Sequence, residues 1–266
     1  MSNDALRLEK SNGVAYVVMA RPDKHNAFDD ELIAGLTEIF EAVGQDDGVR
    51  VVVLGGEGRS FSAGADLGWM ARMADYSEAQ NLEDARRLAH MMRALNGMPK
   101  PTVARVHGAA IGGGVGLVAA CDIAIASEKA VFCLSEVRLG LIPAVISPYV
   151  VEAIGARTAR RYFQTAERFD AQTARRLGLV HEVVKDKALD GGVDEIVDML
   201  QRNGPAAMAA AKELIRRVSS APVDEAMVRD TAERIANIRA TEEGREGVRA
   251  FLDKREPAWR AKITQS

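Results

Sequence analysis

The sequence predicts an α/β fold followed by a helical appendage, and three observations carry that reading. Short apolar, β-branched runs at residues 14–19, 49–54 and 102–106 alternate with longer segments whose apolar residues recur every three to four positions. Two glycine-containing turns each follow such a run and open a helix-like segment. They are Phe61-Ser62-Ala63-Gly64-Ala65-Asp66-Leu67 and His107-Gly108-Ala109-Ala110-Ile111-Gly112-Gly113-Gly114. Beyond about residue 200 the chain is rich in Ala, Glu and Arg and reads as helix. The expected division is therefore a core over residues 1–200 and a helical region over 201–266.

Taken in order, residues 6–9 and 14–19 flank Asn12-Gly13, a strong hairpin signal. Residues 21–26 form a turn-rich loop. A helix starts at Asp29 or Asp30, with Leu32, Leu36, Ile39, Phe40 and Val43 on one face and Gly44 as its expected stop. Residues 49–54 read as a buried strand that Gly55-Gly56-Glu57-Gly58 ends. A polar, Met-containing stretch at 68–76 follows the first glycine turn. Ser77 and Gln80 then form a capping box for a helix carrying Leu82, Leu88, Met92 and Leu95. Gly97, Pro99 and Pro101 break it. Residues 102–106, 121–126 and 130–134 are further strands. Past Pro148, Asp170 caps a helix that Gly178 ends, and residues 179–184 read as a late strand. Asn203-Gly204-Pro205 separates two more helices, and Pro222 marks another.

The chain has 266 residues, 47% apolar and 27% charged, with a formal net charge of -3. That is ordinary for a globular protein, and no basic surface points to nucleic acid or an anionic membrane. Cys121 and Cys133 form no CxxC pair and read as buried thiols. No apolar run is long enough to span a bilayer, and the polar start Met1-Ser2-Asn3-Asp4 lacks the order of a signal peptide. A cytoplasmic enzyme is the expected class.

The glycine turns carry the chemistry. A turn that opens a helix leaves backbone N–H groups without intrahelical acceptors, and these attract negative charge. Two such turns converging on one point would form an oxyanion hole for a reacting carbonyl compound. His25, His90, His107 and His181 are scattered, and no metal-ligand spacing joins them to Cys or carboxylates. The glycine run at 112–114 does not fit GxGxxG.

Arg21-Pro22-x-x-x-Asn26-Ala27, Ser62-Ala63-Gly64-Ala65-Asp66-Leu67, His107-Gly108-x-x-x-Gly112-Gly113-Gly114 and Cys121-Asp122-Ile123-Ala124, in this order, resemble the crotonase (enoyl-CoA hydratase/isomerase) superfamily. Pro143 and the Phe251-Leu252-Asp253-Lys254-Arg255 tail fit as well. The resemblance implies a spiral of ββα turns with C-terminal helices that mediate trimers, often paired into hexamers. It implies an acyl-CoA thioester substrate, with CoA arriving as part of the substrate and no metal or redox cofactor. By position, the N–H groups of Ala65 and Gly113 would bind the thioester oxygen, and Ala63, Ala65, Asp66, Leu67 and Gly68 would run beside the CoA. Lys24 and His25 would meet its adenine or phosphates, as would Phe251 and Lys254 from a neighbouring subunit, with a solvated surface role as the plainer reading of all four.

Residues 134–148, with Arg160-Arg161-Tyr162 and residues 165–170, look like the bacterial methylglutaconyl-CoA hydratase branch, which acts in leucine breakdown. A related branch hydrates isohexenylglutaconyl-CoA. Hydratases of the family usually carry two glutamates. The later one maps onto Glu136, but the earlier position holds Gly116. Family isomerases often use the later glutamate alone, so a Δ3-Δ2 enoyl-CoA isomerase is the alternative, and a non-catalytic acyl-CoA-binding scaffold is a third. Several residues have plainer readings: Glu136 paired with Arg138, Asp66 as an N-cap, Asp122 fixing a turn or ion pair, His107 packed, and Trp69, Met70 and Met73 in the core. A distal substrate carboxylate would want Arg72, Arg86 or Arg138.

Overall fold

The computed structural model describes residues 5–261. Asn12 and Gly13 both take positive φ, 49° and 77°, as a type I′ turn requires. They join β1 (Leu6–Ser11) to β2 (Val14–Met19) in an antiparallel pair. Asp29 caps α1 (Asp30–Gln45) by accepting the Leu32 N–H.

From here the chain repeats one excursion three times. β3 (Val51–Gly56), β5 (Thr102–Val106) and β7 (Ile123–Ser127) enter one sheet. Each is followed within a few residues by a short strand in a second sheet: β4 (Ser60–Ser62), β6 (Ala109–Ile111) and β8 (Val131–Cys133). Helices then carry the chain back. These are α2 (Leu67–Met73) with α3 (Glu78–Gly97), then α4 (Gly113–Ala120), then α5 (Ser147–Thr165). A 3-10 turn, Glu136–Leu139, precedes α5, which kinks at Gly155. β9 (Phe169–Asp170), α6 (Ala171–Leu177), β10 (Glu182–Val184) and α7 (Leu189–Gln201) complete the winding. The sheet orders are β1-β2-β3-β5-β7-β10 and β4-β6-β8-β9. This is the ββα spiral expected from the resemblance.

Strand alternation divides the interior. In β3, Val52 and Leu54 enter the main core beside Leu36, Phe40, Met92 and Leu95, whereas Val51 and Val53 join Val193 and Val197 of α7. The central strands β2, β3, β5 and β7 are therefore covered on both faces, which is why they read as largely apolar runs. α8 (Pro205–Val218), α9 (Glu225–Ala240), α10 (Glu242–Leu252) and α11 (Ala258–Ala261) follow. Lys212 of α8 reaches the core at the Asp122 carboxylate, 2.7 Å. Glu243 caps α8, accepting the Ala206 and Ala207 N–H groups at 3.0 and 2.8 Å.

The helix-like segment expected after the first glycine turn is α2, with Asp66 as its N-cap. Three expectations change. Gly44 does not stop α1, which runs to Gln45 before Asp46 ends it. The late strand is confined to Glu182–Val184. The second sheet is built from two- and three-residue strands, and β4, β6 and β9 lie in stretches read as turns or a cap.

Candidate active site

β4, β6 and β8 are adjacent and parallel, with Ser62 beside Ala110 and Ile111 beside Cys133. Their carboxyl ends open on one place. Ala65 lies three residues past β4, Gly113 two past β6 and Glu136 three past β8. Carboxyl ends of parallel strands are where α/β folds present groups to ligands.

The first turn is held by Phe28. Its N–H donates to the Gly64 carbonyl at 2.6 Å, and its carbonyl accepts the Asp66 N–H at 2.8 Å. The residue between these two bonds, Ala65, has its N–H turned away from the bridge, and among the described residues nothing accepts it. Asp66 caps α2, its Oδ1 accepting the Gly68 and Trp69 N–H groups at 2.9 and 3.1 Å. Its Oδ2 faces Lys24 at 3.2 Å and Arg21 at 3.6 Å. Burial pushes the Asp66 carboxyl up, but the Trp69 N–H and Lys24 outweigh it and hold the group below the usual carboxylate range.

The second turn hinges on Gly112. Its φ of 52° and ψ of -116° suit glycine, and its N–H donates to the Cys133 carbonyl at 2.8 Å. Gly113 is the first residue of α4, and among the described residues its N–H also meets no acceptor. A Cβ on Gly113 would run into the Phe28 ring, and one on Gly114 would lie 2.6 Å from the Ser62 carbonyl oxygen. The two turns are thus wedged together through Phe28 and Ser62, each with one free amide.

Glu136 opens the 3-10 turn beyond β8. A Cβ on Gly112 would lie 3.1 Å from its Oε1. Its Oε2 is buried without a hydrogen-bond partner among the described residues. Burial pushes the carboxyl above its ordinary range. It does not pair with Arg138, which donates to the Ala166 carbonyl at 2.5 Å. A buried carboxylate with one oxygen unpartnered, beside the residue that caps α4, is suited to taking and returning a proton. Position 116 offers no second carboxylate. A Cβ there would run into Ile146 Cγ2 and lie 3.0 Å from Met92 Cε.

The remaining candidates fall into two groups. Ala63 donates its N–H to the His25 carbonyl at 2.9 Å, and His25 Nδ1 meets Ser60 Oγ at 3.1 Å. Lys24, His25, Leu67 and Gly68 therefore border the first turn, and Leu67 is 79% exposed. Phe251 and Lys254 are not joined to it within one chain: α10 packs on α8 and α9, and Phe251 is 82% exposed.

Several plainer readings hold. Asp122 accepts from the Thr102 N–H and Oγ1 and pairs with Lys212. His107 Nε2 meets the Gly58 carbonyl, and burial pushes its pKa down. Trp69 is core, its Nε1 donating to Asp84. Burial pushes the Cys121 thiol up to about 12, an inert group. Arg72 is taken by Asp30. Among the described residues no cluster of three His, Cys, Asp or Glu could hold a metal, and no helix is long and apolar enough to cross a membrane.

Three residues escaped sequence reasoning as site builders. Asn26, fully buried, ties the Arg21 N–H to the Glu57 and Ser60 carbonyls, so its place in the Arg21–Ala27 motif was the available signal. Phe28 and Ile146 act through tertiary contacts that no local pattern marks.

The chain matches the enoyl-CoA hydratase/isomerase family over residues 9–262. An enoyl-CoA hydratase structure from Shewanella pealeana is 47% identical, superposes with a TM-score of 0.94 and covers 96% of each chain. The 2,3-dehydroadipyl-CoA hydratase of Escherichia coli is 30% identical over 97% of this chain and 99% of its own length. The mitochondrial Delta(3,5)-Delta(2,4)-dienoyl-CoA isomerase of Dictyostelium discoideum is 30% identical, over 97% and 92%. The chain belongs to the enoyl-CoA hydratase/isomerase family. It is an enzyme, and its hydratase relatives group it with the hydro-lyases.

Proposed function

We propose that this chain hydrates an enoyl-CoA thioester, with a branched glutaconyl-CoA such as methylglutaconyl-CoA as substrate. The observation that supports this most is the buried, unpartnered Glu136 Oε2, which follows β8 while two unbonded amides follow the adjacent parallel strands β4 and β6. In the proposed step Glu136 takes a proton from water as the hydroxyl adds to Cβ. The double-bond electrons move through Cα onto the thioester oxygen, where the Ala65 and Gly113 N–H groups stabilise the charge. Glu136 then returns the proton to Cα. One water is added, and no metal or redox cofactor enters. Lys24, His25, Ala63, Asp66, Leu67 and Gly68 border the CoA in this reading, and Phe251 and Lys254 reach it from a neighbouring subunit of a trimer or hexamer. The glutaconyl assignment rests on the sequence of residues 134–148 and 165–170, and the dehydroadipyl relative fits a substrate with a distal acid. We read the enzyme as cytoplasmic.

One observation favours a second reading. Gly116 is packed against Ile146 and Met92, leaving a single glutamate for proton transfer. A Δ3-Δ2 isomerase needs only that one group, to move a proton between C2 and C4. Product mass separates the two when the protein is given methylglutaconyl-CoA, crotonyl-CoA and a 3-enoyl-CoA. Hydration adds one water to the first. An unchanged mass with a shifted double bond in the third alone replaces hydration with isomerisation. Release of free CoA, read with a thiol reagent, would replace both with hydrolysis.

A further inference from the structure

Arg138 lies in the same 3-10 turn as Glu136, yet its guanidinium turns to the end of α5. Nη2 donates to the Ala166 carbonyl, and the same oxygen accepts the Cys133 Sγ–H at 3.2 Å. Ala166 presents it from a left-handed C-cap, φ 50°. Cys133 ends β8, and its own carbonyl accepts the Gly112 N–H. A continuous run of bonds therefore links the turn bearing Glu136, through Ala166 and Cys133, to the residue before Gly113. The turn's own main-chain bonds, Gly140 N–H to Val137 and Leu141 N–H to Glu136, close it without tying it to the sheet.

We propose that Arg138 is a positioning residue: by gripping the Ala166 carbonyl it sets where Glu136 stands relative to the Gly113 amide. This rests on the reading of Glu136 as the proton-transfer group. Arg138 acts through geometry rather than charge, since among the described residues it pairs with no carboxylate. Glu136 and Arg138 on the turn, Cys133 on β8 and Arg168 ahead of β9 are the titratable and charged groups that act on one another at this corner.

The test compares Arg138→Met and Arg138→Lys with the wild type on crotonyl-CoA and methylglutaconyl-CoA. Arg138→Met should lower kcat about 10- to 100-fold on both substrates with KM unchanged, as a displaced catalytic group does. The acid limb of its kcat profile should move to lower pH, because a Glu136 that has slipped from its dry seat regains water. Arg138→Lys, which can still donate, should recover most of the loss. A wild-type kcat and unshifted limb in Arg138→Met would overturn the proposal. So would a loss confined to KM for the glutaconyl substrate, which would make Arg138 a carboxylate receptor instead. If Arg138→Met does not fold, Arg138→Gln, polar but too short to span to Ala166, should show the same kcat loss, and wild-type kcat there overturns the proposal. Glu136→Gln is assayed alongside: if it keeps turnover, the underlying assignment fails, whereas a dead Glu136→Gln with an unimpaired Arg138→Met sinks only the role of Arg138.

Discussion

At the scale of single residues, Glu136 combines a catalytic opportunity with a stability cost. Burial raises its pKa, so the folded state holds the proton more tightly than the unfolded chain does. Its contribution to stability is fully present below the ordinary carboxylate value and is lost as pH rises through the raised one. Glu136→Gln should therefore melt higher than the wild type at neutral pH, with the gap closing in acid. A melt in which the variant is less stable at neutral pH contradicts the burial account. The same variant should lose turnover while still binding acyl-CoA, and near-normal rates would refute the assignment. Gly113 is constrained differently. Gly113→Ala drives a Cβ into the Phe28 ring, an overpacking of about 1–3 kcal/mol, and displaces one of the two amides. Turnover should fall on the order of 100-fold, the effect of losing one oxyanion donor. A fall of less than about threefold in steady-state rate would leave Gly113 without that role.

Among the elements, α2 ties the first turn to its surroundings. Asp66 both caps it and faces Lys24 and Arg21, and these jobs can be separated. Asp66→Ala should cost about 1 kcal/mol through the lost cap, whereas Asp66→Asn keeps the cap and loses only the charge. Urea unfolding should rank Asn well above Ala, and equal losses would show that charge, not capping, matters here. The helices and long strands were legible because each announces itself locally: Ser77 with Gln80, Asp170 with Gly178, the unbroken Val run of β3. The second sheet, β8 apart, was not. β4 and β6 are three residues each, Ser-Phe-Ser and Ala-Ala-Ile, with too few side chains to show a period of two. They are strands because their neighbours in the spiral supply the hydrogen bonds. The glycine turns that follow them were legible as anion-binding backbone. The wedge of Phe28 between them, and Ile146 seated on Gly116, depend on contacts between elements far apart in sequence.

For the whole molecule, the question is how the late helices attach and what they cover. Lys212, only 12% exposed, joins α8 to Asp122 and the Lys100 carbonyl. Lys212→Met should cost about 1–3 kcal/mol, since it strands a partly buried carboxylate. An unchanged urea midpoint would assign the attachment of α8 to its other contacts. Val223, Phe251 and Leu252 are 88%, 82% and 71% exposed in the single chain, apolar surface of the kind that copies of a chain bury against one another. Sedimentation should give a trimer or hexamer, and Phe251→Asp should shift it toward monomer. A monomeric wild type at micromolar concentration would remove both the proposed interface and the proposed route by which Phe251 and Lys254 would reach a substrate.

The most direct test of the central claim is a crystal structure of Glu136→Gln with unreacted enoyl-CoA. The thioester oxygen should accept hydrogen bonds from the amides of residues 65 and 113, with the substituted side chain at position 136 over the double bond. A thioester oxygen bound elsewhere, with those two amides facing solvent or separate cavities, would contradict the account.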